Sequence, residues 1–212
     1  RGARAVVCTD LNEASARETA ASIGEQASGV GLDVADEAAI EALVAQTESE
    51  IGPIDLFVSN AGYGQRGGLD LPTEDWKRMM DVHVWSHLAA ARAVVPGMLE
   101  RGGGYLLNTA SAAGLLTQID SGPYAVSKHA AVALAEWLAI NYGDQGIGVS
   151  VLCPQAVRTN ILGPGTDIDR PIPAALYLAV AQVLAYVFEL RKRGTLRRPV
   201  RLPDVPVPGD FP

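Results

Sequence analysis

The chain has 212 residues, of which 48% are apolar and 19% charged, enough for one well-cored domain. Its formal net charge is -7 and its basic residues are scattered except near Arg191 to Arg201, which excludes the broad basic field that nucleic acid binding needs. Cys8 and Cys153 lie far apart in apolar runs, so buried free thiols are expected rather than a disulfide; with no signal-peptide pattern at the start, the expected location is cytoplasmic.

In chain order, short apolar runs at 3–9, 27–32, 54–59, 104–109 and 147–152 are predicted strands. Residues 12–23, 36–51, 73–101 and 121–142 carry apolar side chains at spacings of three and four and are predicted helices. This alternation predicts an α/β fold with a mostly parallel sheet. Thr73, ahead of Glu74 and Asp75, suits a helix cap, and Gly102 to Gly104 stop the long helix. Beyond Thr159, Gly163, Pro164, Gly165, Pro171 and Pro173 mark an irregular loop at 160–173, followed by one helix and an irregular Pro-rich tail at 195–212. Residues 173–190 are nearly apolar enough to span a bilayer, but Gln182 and Glu189 interrupt them, so an amphipathic or interface helix is expected and no membrane partner. No repeat and no second domain are expected.

Chemistry concentrates at Tyr124-Ala125-Val126-Ser127-Lys128, near the start of a predicted helix, and at Ser111, just past a predicted strand. Positions i and i+4 put Tyr124 and Lys128 on one helical face. A fixed positive charge favours the ionised form of a neighbouring phenol, which lets a tyrosine exchange a proton with an alcohol or carbonyl oxygen. Ser111 supplies a hydroxyl to hold that same oxygen if the fold brings strand end and helix together. On its own the Tyr-x-x-x-Lys spacing is more often an exposed pair.

With Asn60-Ala61-Gly62 after a strand, Ser111 in Asn108-Thr109-Ala110-Ser111, Tyr124 to Lys128, and Pro154 to Thr159 in this order, the sequence resembles the short-chain dehydrogenase/reductases over most of residues 5–159. The resemblance implies a Rossmann-like, doubly wound sheet with helices on both faces. It implies Tyr124 as general acid/base, Ser111 as the group orienting the substrate oxygen, and Lys128 as the residue that tunes the tyrosine and holds the nicotinamide ribose. Asn60, Ala61 and Gly62 would line the cofactor, Asp33 and Val34 would contact adenine, and Pro154, Val157 and Thr159 would flank the nicotinamide. Asp10 ends the first predicted strand, where an acid can bond a ribose 2′-hydroxyl and repel a 2′-phosphate, so NAD is expected over NADP; the alternative is a simple helix cap. Members commonly pair through the helices at 73–101 and 121–142, so a homo-oligomer, dimer or tetramer, is expected.

The sequence departs from that family pattern in places. His83 stands where the family usually has an asparagine that holds a relay water, and Gln155 where it usually has glycine. The family's first strand and glycine-rich phosphate loop would precede Arg1, so residues 1–212 read as a single N-terminally truncated NAD-binding domain. That strand would lie between those at 3–9 and 54–59, leaving a gap. Gly62-Tyr63-Gly64-Gln65-Arg66-Gly67 matches G-x-G-x-x-G but is expected to be a loop, since no helix opens within it. His83 and His87 share a helical face but lack a third ligand, so no metal is expected, and His129 is expected to be packed or at the surface. The expected function is hydride transfer between NAD and a secondary alcohol or ketone, with 160–173 as substrate loop. The rival is a catalytically silent fragment that serves as an interaction module.

Overall fold

A computed structural model describes residues 3–155. The first half alternates strand and helix: β1 (Val6–Asp10), α1 (Glu13–Ile23), β2 (Ala27–Gly31), α2 (Glu37–Glu50) and β3 (Leu56–Ser59). Asn12 caps α1 by accepting from Ala14 N, and Asp36 caps α2 by accepting from Ala39 N, each satisfying an orphan amide of a first turn. The second half adds α3 (Thr73–Met80), a π-helical turn (Asp81–Trp85), α4 (Ser86–Glu100), β4 (Gly104–Thr109), a 3-10 turn (Ala112–Gly114), α5 (Gly122–Tyr142) and β5 (Ile147–Leu152). A further 3-10 turn, Gly143–Gln145, links α5 to β5.

All strand pairs are parallel, as the crossover pattern requires: β1 pairs with β2, and β3, β4 and β5 pair in that order. The fold is Rossmann-like α/β. The sheet is in two pieces, because among the described residues no ladder joins β1 to β3. The expected gap between these strands is thus where the sheet divides, and they do not close against each other. Leu56 and Val58 on β3 are half exposed there.

The main core lies where α4 and α5 cover β4 and β5: Val94, Met98, Leu106, Leu138 and Ile147 are buried together. Truncating Met98, which is fully buried, to alanine should cost about 2–5 kcal/mol. A second cluster joins Leu32, Ile40, Ala89 and Ala90, with Phe57 packed against it, tying the segment after β2 to α4.

Some expectations need correction. The long helix expected at 73–101 runs through residues 73–100, but not as a regular α-helix: in the Asp81–Trp85 turn, Ser86 N–H bonds back to Asp81 O, five residues earlier. Thr73 does not cap it; Pro72 holds the cap position, with no side-chain hydrogen bond. Cys8 and Cys153 are free but only partly buried. The stop at Gly102 to Gly104 holds, since Gly102 and Gly103 take positive φ (83° and 153°) and their amides return to Leu99 O and Met98 O. No helix among the described residues is long and apolar enough to cross a membrane; the stretches 160–173, 173–190 and 195–212 lie outside those residues.

Candidate active site

The C-terminal ends of β3 and β4 and the first turns of α5 bring Asn60, Gly62, Tyr124 and Lys128 together, with Ser111 on the loop that follows β4. Pro123 sits in the first turn of α5, where its missing N–H costs nothing and its fixed φ starts the helix. Tyr124 and Lys128 follow one turn apart, with the ammonium 5.6 Å from the centre of the tyrosine ring. Lys128 is 2% exposed, and its Nζ donates to Thr109 O at 3.1 Å, at the end of β4. Burial pulls its pKa down from the usual lysine range to about 8.

Ser111 follows β4. Its Oγ accepts from Ala113 N at 3.1 Å, which uses a lone pair and leaves the hydroxyl proton free to donate. Ala112 N donates to Pro154 O at 2.8 Å, which joins the serine loop to the residue expected beside the nicotinamide. Thr109 Oγ1 donates to Asn60 Oδ1 at 3.0 Å, so the ends of β3 and β4 are joined by a side-chain bond as well as by their ladder. Asn60, Ala61 and Gly62 are exposed.

Gly62 is in close quarters despite that exposure. A Cβ there would stand 3.1 Å from His83 Nε2 and 3.5 Å from Lys128 Nζ. Gly62→Ala should therefore press on His83 Nε2, while meeting Lys128 Nζ only at ordinary contact distance and without straining the backbone, and affinity for a nicotinamide cofactor should fall by about tenfold while the melting transition stays cooperative. A fluorescence titration showing unchanged affinity would remove Gly62 from the site.

The remaining expected residues are placed as follows. Asp10 is exposed at the end of β1, and one carboxylate oxygen accepts from Asn12 N at 2.8 Å. The helix cap is Asn12, so Asp10 is not needed for that purpose. Asp33 accepts from Ala35 N and is bonded through both oxygens to Arg78 (2.9 and 3.1 Å); the Ala35 amide and then the guanidinium hold its carboxyl below the usual aspartate range. Val34 packs beside the Leu32 and Ile40 cluster. Gln155 is exposed, whereas Val157 and Thr159 lie outside the described residues. The Gly62 to Gly67 segment opens no helix, since α3 begins only at Thr73. Among the described residues no group of three metal-ligating side chains occurs. His129 is exposed, its Nδ1 2.8 Å from Ala125 O.

Sequence reasoning gave no site role to Ser127, Thr109, Arg78 or His87. Ser127 is fully buried, and its Oγ is 2.9 Å from His83 Nδ1. His87 is buried, and neither ring nitrogen is bonded by a described residue. Ser127 and Thr109 lay inside the segments Tyr124 to Lys128 and Asn108 to Ser111, and His87 was weighed with His83 only as a metal ligand; Arg78 carried no signal. A cleft of about 650 Å³ opens at the start of α5, with Arg66, Asp70, Gln118 and Asp120 among its lining residues.

The parallel Rossmann-like sheet, with a serine after β4 and a tyrosine and lysine on α5, defines a dehydrogenase-type domain. The family model for short chain dehydrogenases matches residues 1–167, and the chain belongs to that family. It is 39% identical over 178 residues to an inactive 2-(S)-hydroxypropyl-CoM dehydrogenase of Xanthobacter autotrophicus, covering 82% of this chain and 77% of the relative. It is 35% identical over 167 residues to a 2,5-dichloro-2,5-cyclohexadiene-1,4-diol dehydrogenase of Sphingobium indicum, covering 77% of this chain and 67% of that one. Among solved structures, a gluconate 5-dehydrogenase from Burkholderia cenocepacia, in complex with NADP and tartrate, superposes with a TM-score of 0.70 at 31% identity, over 75% of this chain and 64% of that one. The chain thus spans less than two thirds of that solved relative's length.

Proposed function

We propose that this domain serves an oxidoreductase that moves hydride between NAD and a secondary alcohol or ketone. The observation that carries the reading is Lys128, a buried ammonium beside Gly62 and Tyr124 whose donors meet one acceptor among the described residues, Thr109 O. An ammonium has three donors, so two remain for a diol such as the nicotinamide ribose. That spare capacity, beside the exposed Asn60 to Gly62 backbone, fits a nucleotide cofactor. The cofactor supplies or accepts the hydride.

This chain's residues do the rest. Ser111 Oγ–H donates to the substrate oxygen and holds it. Tyr124 exchanges the proton at that oxygen. Lys128 holds the ribose and keeps a positive charge beside the Tyr124 ring. Steady-state oxidation of a panel of secondary alcohols, followed by NADH absorbance, tests the reading; no turnover of any of them by a form that binds NAD would sink it.

Asp10 supports NAD over NADP: it is exposed at the end of β1 and keeps a carboxylate oxygen free for a 2′-hydroxyl, while repelling a 2′-phosphate. The solved gluconate dehydrogenase holds NADP, which makes the point worth measuring. The expected outcome is a kcat/KM for NAD at least about tenfold above that for NADP, narrowed by Asp10→Ala. Equal use of both cofactors by the parent would remove Asp10 from the role.

Oligomerisation through the long helices is supported by Trp85, Val126, Trp137 and Ile140, large apolar side chains at least half exposed on this part of the protein. The second reading, a catalytically silent interaction module, is favoured by the name of the Xanthobacter relative, which is called inactive. Lys128→Met separates the readings without needing turnover. It removes a buried charge whose pKa depression of about 2.5 corresponds to about 3 kcal/mol, and loses one hydrogen bond, so the cofactor-free protein should gain about 2 kcal/mol while NADH affinity collapses. A stability gain with unchanged cofactor binding would favour the silent module.

A further inference from the structure

We propose that His83 is a positioning residue: a neutral imidazole with its proton on Nδ1 that ties the Gly62–Tyr63 backbone to α5 at Ser127, fixing where Tyr124 and Lys128 stand. What is positioned rests on the oxidoreductase reading above; the clamp itself does not.

Hydrogen-bond direction decides the tautomer. Tyr63 N–H can only donate, and it lies 3.1 Å from His83 Nε2, so Nε2 carries a lone pair. A neutral ring then has its proton on Nδ1, which points at Ser127 Oγ at 2.9 Å. Ser127 Oγ in turn donates to Tyr124 O at 3.0 Å. The chain therefore runs one way, from His83 Nδ1–H through the Ser127 hydroxyl to the carbonyl of Tyr124.

Packing holds the ring in that orientation. His83 is fully buried within the Asp81–Trp85 π turn, its ring edge-on to Tyr124 at 5.5 Å between centroids and tilted against Tyr63 at 5.6 Å. The extra backbone of the π turn is the feature that sets this stretch apart from a regular helix. Gly62 leaves room for Nε2, as its hypothetical Cβ contact shows.

Both ring nitrogens are thus committed to protein partners, and neither is left for a water or for proton passage. A protonated ring would also turn Nε2 into a donor facing the Tyr63 donor. Among the described residues, the titratable groups around the ring, Lys128, His87, Tyr63 and Tyr124, include no carboxylate to support an imidazolium, and burial and the Lys128 charge lower the His83 pKa to about 3. His83 therefore holds the site in place and takes no proton during turnover.

Nitrogen NMR of the histidine-labelled 212-residue chain, without cofactor, tests this from about pH 8 to about pH 5. His83 is assigned by its loss in His83→Gln or, should that variant not fold, by elimination using His87→Phe and His129→Gln. The expected pattern is a neutral ring protonated at Nδ1 throughout the range. An Nε2-protonated ring, or a midpoint inside that range, would overturn the proposal. Deuterium exchange gives a second reading: the Tyr63 amide should exchange at least about tenfold faster in His83→Phe but not in Ser127→Ala, and equal protection in parent and His83→Phe would also overturn it. An intact Nδ1–H ring in a chain that never binds NADH would support the clamp and count against the oxidoreductase reading alone.

Discussion

Tyr124→Phe should lower kcat by about a thousandfold and leave NADH affinity within about twofold of the parent's, the signature of losing a proton-transfer group rather than a binding contact. The substitution deletes one oxygen and keeps the ring. The edge-on contact with His83 at 5.5 Å and the Lys128 ammonium at 5.6 Å both involve that ring, so the packing that orders this end of α5 should survive. Ser127 bonds the Tyr124 carbonyl, not its hydroxyl, so the link to His83 is untouched as well. Ser111→Ala should be milder, about a hundredfold, because it removes the hydroxyl that holds the oxygen but not the group that moves the proton. The measurement is turnover in an active form, with NADH titration and thermal melts as controls. Residual turnover within about tenfold of the parent would show that another group carries the proton.

The strands and helices of the described region were legible because each obeys one period. β1, β4 and β5 fall inside or on the predicted runs to within a few residues, and α5 (Gly122–Tyr142) falls within the helix predicted at 121–142. The π turn was not. Asp81 to Trp85 has the composition of a helix, and one extra residue in a turn leaves no mark on apolar spacing. The resemblance pointed to the place without showing what His83 would do there. The Tyr124–Lys128 pair was legible from spacing, whereas the acceptor for Lys128 is a backbone carbonyl, Thr109 O, which no side-chain pattern reveals. Arg78 holding Asp33 was equally hidden, since the two are 45 residues apart and meet only once α3 is placed near the end of β2.

The largest expected effect on stability comes from acid, and its source is the buried histidine pair. Burial, reinforced by the Lys128 ammonium, lowers His83 to about 3 and His87 to about 4, while both return to about 6.5 in the unfolded chain. A histidine whose folded pKa is depressed binds fewer protons folded than unfolded between the two values. Stability is therefore fully present above about pH 6.5 and is lost as pH falls toward the folded values. At pH 5 each histidine forfeits about 2 kcal/mol, or about 4 kcal/mol together, against a typical domain stability of about 5–15 kcal/mol. Asp33 does not confuse the window: its folded pKa is lowered, so its contribution is lost only below about pH 4. Urea melts at pH 7.5 and pH 5.0 should show this drop, and His87→Phe should recover about half of it by replacing a buried imidazole that no described residue bonds by a ring that does not titrate. A parent equally stable at both values would mean that the two imidazoles are already protonated or hydrated in the folded chain.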